Sequence, residues 1–240
     1  MAKRDYFLLV DTETTQTSLV ADFGAIVTDR KGKIYNQCAV LTRGIYDDFV
    51  KHPLFCTNDS EEIWSKPGQE RRYSVYQNML ENGTRMLASV AAINVWLAKV
   101  KEKYNPVLTA YNLSFDQGKC ANSGIDLVQF DNNFCLWYAS FNKWGHTKEY
   151  RQMILALHAF NAPTDLGNMS FKTNAETMAR YVTKNPRLED EPHTALEDAV
   201  YYELPILVAI AKDTPKKVLL NPELAFDWRK VQVRDWFIPK

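Results

Sequence analysis

The sequence predicts one mixed α/β domain, a sheet flanked by helices. Three observations carry that expectation: an opening strand that is apolar on both faces, a hairpin-linked pair of strands behind it, and helix-period segments that alternate with further strands down the chain. At 240 residues, 46% of them hydrophobic, the chain is long enough to bury a substantial core.

From Asp5 to Asp11 the run Tyr6-Phe7-Leu8-Leu9-Val10 has no polar face, as a central strand covered on both sides requires. Phe23 to Thr28 and Ile34 to Leu41 form a second and third strand, joined by the turn-prone Asp29-Arg30-Lys31-Gly32-Lys33. Residues from about Thr42 to Asn82 carry Pro53, Pro67 and aromatic side chains without a steady period, which reads as an irregular insertion with some helix. Met86, Val90, Ile93, Leu97 and Val100 recur at helical spacing and lead through Pro106 to a strand, Val107 to Tyr111. Phe134 to Tyr138 is a further strand candidate. Helices are expected around Tyr150 to Phe160, Asn174 to Val182 and Ala195 to Lys212. The domain thus covers residues 1–212 with the insertion at about 42–82, and 213–240 form a C-terminal extension. Phe226, Trp228, Trp236 and Phe237 lie in that extension, either folded back on the core or docking a partner.

Composition narrows the function. Lys plus Arg equal Asp plus Glu at 29 each, so no global basic field advertises nucleic-acid binding, and any such ligand must be met by local charge or bound metal. Cys38, Cys56, Cys120 and Cys135 lack any C-x-x-C spacing, so neither a zinc knuckle nor a disulfide framework is indicated and four ordinary reduced thiols are expected. The apolar run Tyr6 to Val10 ends at Asp11, which no signal-peptide core tolerates, and the stretch from Leu204 to Ala211 falls far short of the ~20 residues of a membrane span. A soluble, cytoplasmic protein is expected.

Three motifs carry chemistry. Asp11 and Glu13 end the first strand one residue apart, and the period of two puts both carboxylates on one face, where they can share a cation. Acids also end strands simply by entering solvated loops. Asn112-Leu113-Ser114-Phe115-Asp116 follows the strand Val107 to Tyr111. Ser114 and Gln117 there read as a capping box, which places Asp116 in the first helical turn as either a ligand or a charge on the helix dipole. In His193-Thr194-Ala195-Leu196-Glu197-Asp198, Thr194 and Glu197 read as a second capping box. His193 then precedes the cap and Asp198 is the fourth helical residue, so a titratable pair occupies the two positions that a hydrophobic staple usually brings together. Four carboxylates and one histidine at strand-end and helix-start positions can converge at one crevice of an α/β sheet. Hard oxygen ligands suit Mg²⁺ or Mn²⁺, and two such ions ~3.5–4 Å apart hydrolyse phosphodiesters with little beyond acids and a proton acceptor.

These pieces, Asp11-Thr12-Glu13-Thr14-Thr15, Asn112 to Asp116 and His193 to Asp198, resemble in order and spacing the DEDDh 3′→5′ exonucleases, a DnaQ-like family that includes the proofreading epsilon subunit of bacterial replicative polymerase, ribonuclease T and oligoribonuclease. The resemblance spans roughly Asp5 to Ala211 and implies a ribonuclease H-like fold. It further implies that Asp11, Glu13 and Asp198 hold one metal ion, that Asp116 supports a second with Asp11 bridging, and that His193 is the general base. Thr14, Asn112 and Phe115 would meet the substrate, Thr14 through its backbone at the 3′-hydroxyl and Phe115 against a base. Gln16 stands where the family often has Gly, and Tyr111-Asn112 where it often has His-Asn.

The implied partner is nucleic acid with a free 3′ end, DNA favoured over RNA, with a polymerase or other replication protein as a further candidate. Bacteriophages also encode compact nucleases of this kind. The competing reading is a binding or structural subunit that keeps the fold without using it, against which stands the completeness of the five-residue set. Arg71, Arg72 and Tyr73, with Trp64 and Tyr76, read either as a strand-tracking surface or as a solvated loop with aromatic anchors. Glu189-Asp190-Glu191 reads as a solvated loop beside the site.

Overall fold

A computed structural model describes residues 5–57, 62–163, 167 and 169–220. In chain order the elements are β1 (Tyr6–Thr14), β2 (Val20–Asp29), β3 (Ile34–Thr42), α1 (Lys66–Glu81), β4 (Met86–Ala88), α2 (Val90–Tyr104), β5 (Val107–Ala110), α3 (Leu113–Ser123), β6 (Asn133–Cys135), α4 (Leu136–Ser140), α5 (Lys148–Leu157), α6 (Ala175–Thr183), α7 (Ala195–Asp198), α8 (Leu204–Asp213) and α9 (Lys216–Leu219). π-turns at Phe141–Gly145 and Ala199–Glu203 link α4 towards α5 and α7 to α8.

Among the described residues the sheet has six strands in the order β4-β3-β2-β1-β5-β6. β1, β2 and β3 are antiparallel neighbours, while β5 runs parallel to β1 and β6 parallel to β5. This is the mixed sheet flanked by helices that the sequence predicts, with three antiparallel strands followed by parallel ones. β1 is central because both its faces are apolar. Phe7 and Leu9 join a core completed by α4 to α9, and Leu8 and Val10 join one completed by α2 and α3. Full burial of each such side chain stabilises by about 1.5–3 kcal/mol. A smaller third cluster, Ala21, Leu41, Tyr46, Leu54 and Tyr76, packs the insertion onto β2 and β3.

The β2–β3 hairpin turns where expected. Asp29 Oδ1 accepts from the Lys31 and Lys33 N–H groups at 2.9 and 3.2 Å, and Gly32 supplies the positive φ of 80°. Three expectations are corrected. Met86 belongs to β4, a three-residue edge strand paired with Val40 of β3, and not to the helix, which begins at Val90. The strand expected over Phe134 to Tyr138 covers only Asn133–Cys135, because α4 takes over at Leu136. The capping box at Ser114 does not form. α3 starts at Leu113 behind Asn112, whose φ of 72° is a left-handed conformation that Asn tolerates, and Ser114 Oγ donates to Asn112 Oδ1 at 3.2 Å.

All four cysteines are free thiols. No helix among the described residues is long and apolar enough to cross a membrane. Residues 221–240, with their four aromatic side chains, lie outside the described residues.

Candidate active site

β1 delivers Asp11 and Glu13 to the carboxyl end of the sheet, where Asp11 faces Gly24 of β2 and Glu13 faces Asp22. The register then slips between Glu13 and Thr14, a bulge that ends regular pairing at the site. Thr12 points to the opposite face and donates its hydroxyl to Asp116 Oδ1 at 2.8 Å, so β1 also fixes the acid carried by α3.

α7 lies directly on β2, and the sequence permits this at one place. A Cβ on Gly24 would stand 2.3 Å from the backbone carbon of Ala195 and the nitrogen of Leu196. The Ala195 N–H at the start of α7 is bound by Asp22 Oδ2 at 2.9 Å, a cap donated by β2. Thr194 occupies the N-cap position as expected, but its side chain makes no capping bond. Glu197 turns to Arg85 instead, which binds Asp22 with Nε–Oδ1 at 3.1 Å and Glu197 with Nη1–Oε1 at 3.2 Å. The capping-box reading of Thr194 and Glu197 is therefore replaced by a cross-strand carboxylate and a buried arginine.

The pairing of His193 with Asp198 holds. Ligand atoms of Glu13, His193 and Asp198 all lie within 4.8 Å of one another, and His193 Nδ1 is 3.9 Å from Glu13 Oε1. His193 sits in the left-handed region with φ 54°.

One cavity of about 670 Å³ is lined by all eight residues singled out from the sequence: Asp11, Glu13, Thr14, Asn112, Phe115, Asp116, His193 and Asp198. It is also lined by two carboxylates that sequence reasoning did not place there, Glu191 and Glu203, together with Phe55, Trp64, Lys119 and Lys172. Glu203 comes from the π-turn after α7, is 3% exposed, and accepts the Tyr111 N–H at 3.3 Å through Oε1. The acidic loop divides. Asp190 faces outward and pairs with Arg180, whereas Glu191 turns into the cavity, so the solvated-loop reading is corrected for Glu191. The aromatic-anchor reading of the insertion is the one observed for Arg72 and Tyr76, which are 2% and 1% exposed, but Trp64 faces the cavity. Gln16 binds the Cys56 carbonyl of the insertion, and the Tyr111 hydroxyl binds the Thr173 carbonyl, so both departures from the family pattern serve as anchors.

Six carboxylates in one crevice cannot all ionise cheaply. Burial, followed by Asp22, pushes Asp11 up to about 7, with the Thr12 N–H opposing. Burial and neighbouring acids, Asp11 first among them, push Glu13, Asp116, Asp198 and Glu203 well above the carboxylate range and Glu191 to about 8. Buried Arg72 opposes this at Glu13. Burial and then Arg72 lower His193 to about 4. Asp11 Oδ2, Asp198 Oδ1 and Glu203 Oε2 are buried without a hydrogen-bond partner. Crowded acids with orphaned oxygens lining one cavity are a set of hard donors that could hold a metal ion.

No protein-family model matches the chain, and no curated protein matches it. Among solved structures, E. coli Exonuclease I in complex with a 5cy-dT13 oligonucleotide is similar over 85% of this chain and 40% of that one, at 16% identity and a TM-score of 0.41. The chain thus spans well under half the length of that protein, and likeness at this level carries no argument about activity.

Proposed function

We propose that this protein is a divalent-metal-dependent 3′→5′ exonuclease that releases nucleoside 5′-monophosphates from the 3′ end of DNA, single-stranded or frayed, or of RNA. The observation that supports it most is the convergence of Asp11, Glu13, Asp116, Asp198 and His193, from three distant segments, on one cavity that presents unpartnered carboxylate oxygens. In this reading Asp11, Glu13 and Asp198 hold one Mg²⁺ or Mn²⁺ and Asp116 supports a second with Asp11. When bound, two such ions supply Lewis acidity at the attacking and leaving oxygens.

The protein's own groups do the rest. His193, depressed to about 4 by burial, is a neutral imidazole at pH 7 and accepts a proton from the attacking water. Phe115, 43% exposed at the cavity wall, stacks on a base near the scissile end, and this contact is indifferent to sequence. Asn112 and the Thr14 backbone border the 3′-terminal nucleotide. Lys119 and Lys172 bring positive charge to the cavity wall, which a chain of zero net charge must supply locally.

The test is digestion of matched 5′-labelled single-stranded DNA, duplex DNA and single-stranded RNA with Mg²⁺ or Mn²⁺, alongside EDTA and Asp11→Ala controls. A ladder that shortens from the 3′ end and vanishes in both controls is expected, with His193→Ala slower by on the order of 10²–10⁴-fold. Intact substrate under every metal condition would instead assign the chain to a binding role.

A further inference from the structure

The insertion between β3 and β4 reaches the site from outside the catalytic motifs, and its contacts fall on one residue. His193 is a non-glycine residue at φ 54° in the loop that leads into α7, and its side chain is 22% exposed. Such a conformation persists only where its surroundings determine it. Two insertion residues supply that determination. The Tyr76 hydroxyl donates to the His193 carbonyl at 3.3 Å, and the Trp64 ring lies over the imidazole with centroids 4.6 Å apart and planes tilted by 53°.

Both are themselves fixed. Tyr76 is 1% exposed and packs edge-on against Tyr46 at 5.6 Å. The Arg72 guanidinium sits 4.6 Å from the centroid of the Trp64 ring, and Phe55 meets the same indole edge-on at 5.8 Å. Arg72 is 2% exposed and binds the Phe55 carbonyl, so the support runs from the buried face of α1 through Arg72 to Trp64. The insertion is also stitched to the end of β1. Thr15 bridges Leu54, the Phe55 N–H binds the Thr14 carbonyl at 2.9 Å, and the Gln16 N–H binds the Pro53 carbonyl at 2.8 Å. One segment therefore grips both the strand that carries Asp11 and Glu13 and the loop that carries the histidine.

We propose that Trp64 and Tyr76 are positioning residues, supplied by the insertion, that set the His193 imidazole in register with the carboxylates of β1. This rests on the nuclease reading and assigns the insertion its part in it. Trp64 acts through His193 and not on substrate, so its loss lowers turnover without weakening binding. A misplacement of about 1 Å in a reacting group can cost about 10²-fold in rate.

Steady-state kinetics on 5′-labelled single-stranded DNA with Mg²⁺ test this on the full chain with Trp64→Ala, Trp64→Phe and Tyr76→Phe. Trp64→Ala is expected to lower kcat by roughly 10- to 100-fold with KM little changed. Trp64→Phe, which restores a ring, recovers most of that loss, and Tyr76→Phe, which keeps the buried ring and loses only the hydroxyl, lowers kcat by a smaller factor. A second arm needs no turnover. In ¹³C-histidine-labelled metal-free protein, which has four histidines, the resonance lost in His193→Gln is ring-current shifted, and Trp64→Ala moves it while leaving the other three in place.

A raised KM with unchanged kcat in Trp64→Ala would overturn the proposal and assign the indole to a substrate base. An unmoved His193 resonance would overturn it as well. An inactive wild type with an intact ring-current shift would overturn the nuclease reading instead, so the two failures are distinguishable.

Discussion

Replacing Asp11 with Asn removes one charge from the acid cluster and changes almost nothing in shape, so it measures how much the cluster strains the metal-free fold. Asp11 rises from an ordinary 3.8 to about 7 because burial and Asp22 disfavour its ionised form. A carboxyl with a raised folded-state pKa favours the folded state below about pH 4 and loses that contribution as pH climbs through about 7. At about 1.4 kcal/mol per tenfold, the rise corresponds to about 4 kcal/mol above pH 7. The side chain is half-buried, and solvent screening together with relaxation of its neighbours brings the expected gain for Asp11→Asn to about 2 kcal/mol. For a chain of this size that is about 4–8 °C in Tm. Thermal melts in EDTA at pH 8 should show the gain in full, and melts at pH 5, where Asp11 is protonated in the folded chain but ionised in the unfolded one, should show about two-fifths of it. Added Mg²⁺ or Mn²⁺ should stabilise the wild type more than the variant. An Asp11→Asn protein that melts below wild type in EDTA at pH 8 would refute the account of the site as a repulsive acid cluster held ready for cations.

Two further predictions concern how α7 is mounted. Gly24→Ala drives a methyl group to 2.3 Å from the Ala195 backbone, so it should destabilise by about 1–3 kcal/mol and also remove activity, since α7 carries Asp198; parallel melts and nuclease assays read both, and wild-type values in either would contradict the close approach. Arg85→Met leaves Asp22 buried with no countercharge and should cost about 3–5 kcal/mol in urea unfolding. Asp22→Asn added to Arg85→Met should recover much of that loss, and failure to do so would remove the ion pair as its cause.

What could be read from the sequence was whatever depends on local period and spacing. β1 announced itself because five consecutive apolar residues have no other economical use, and the β2–β3 hairpin did so because Asp29 and Gly32 carry their turn chemistry with them. The five predicted site residues converge because strand ends and helix starts in an α/β sheet meet at one edge. β4 was illegible because three residues cannot display alternation, and Met86 falls in phase with the helix that follows. The capping box at Thr194 failed for a tertiary reason. The Ala195 N–H at the start of α7 is met by Asp22, 173 positions away in the chain, which no local pattern encodes. Glu203 was missed because five residues along an α-helix point about 140° from Asp198. Only the intervening π-turn returns it to the cavity.

That turn has a consequence for the whole C-terminal helical run. In a continuous α-helix, aiming Asp198 at the crevice would dictate the rotational phase of every residue after it, and so which side chains of α8 meet the sheet. The wider turn at Ala199–Glu203 resets that phase, leaving Ile206, Leu207, Ile210 and Ala211 facing the core while Asp198 and Glu203 face the cavity. Removing one residue from it would rotate all four core side chains by about 100° relative to the site. The run therefore behaves as two helices on separate clocks, one timed to the chemistry and one to the packing, with five residues between them as the escapement.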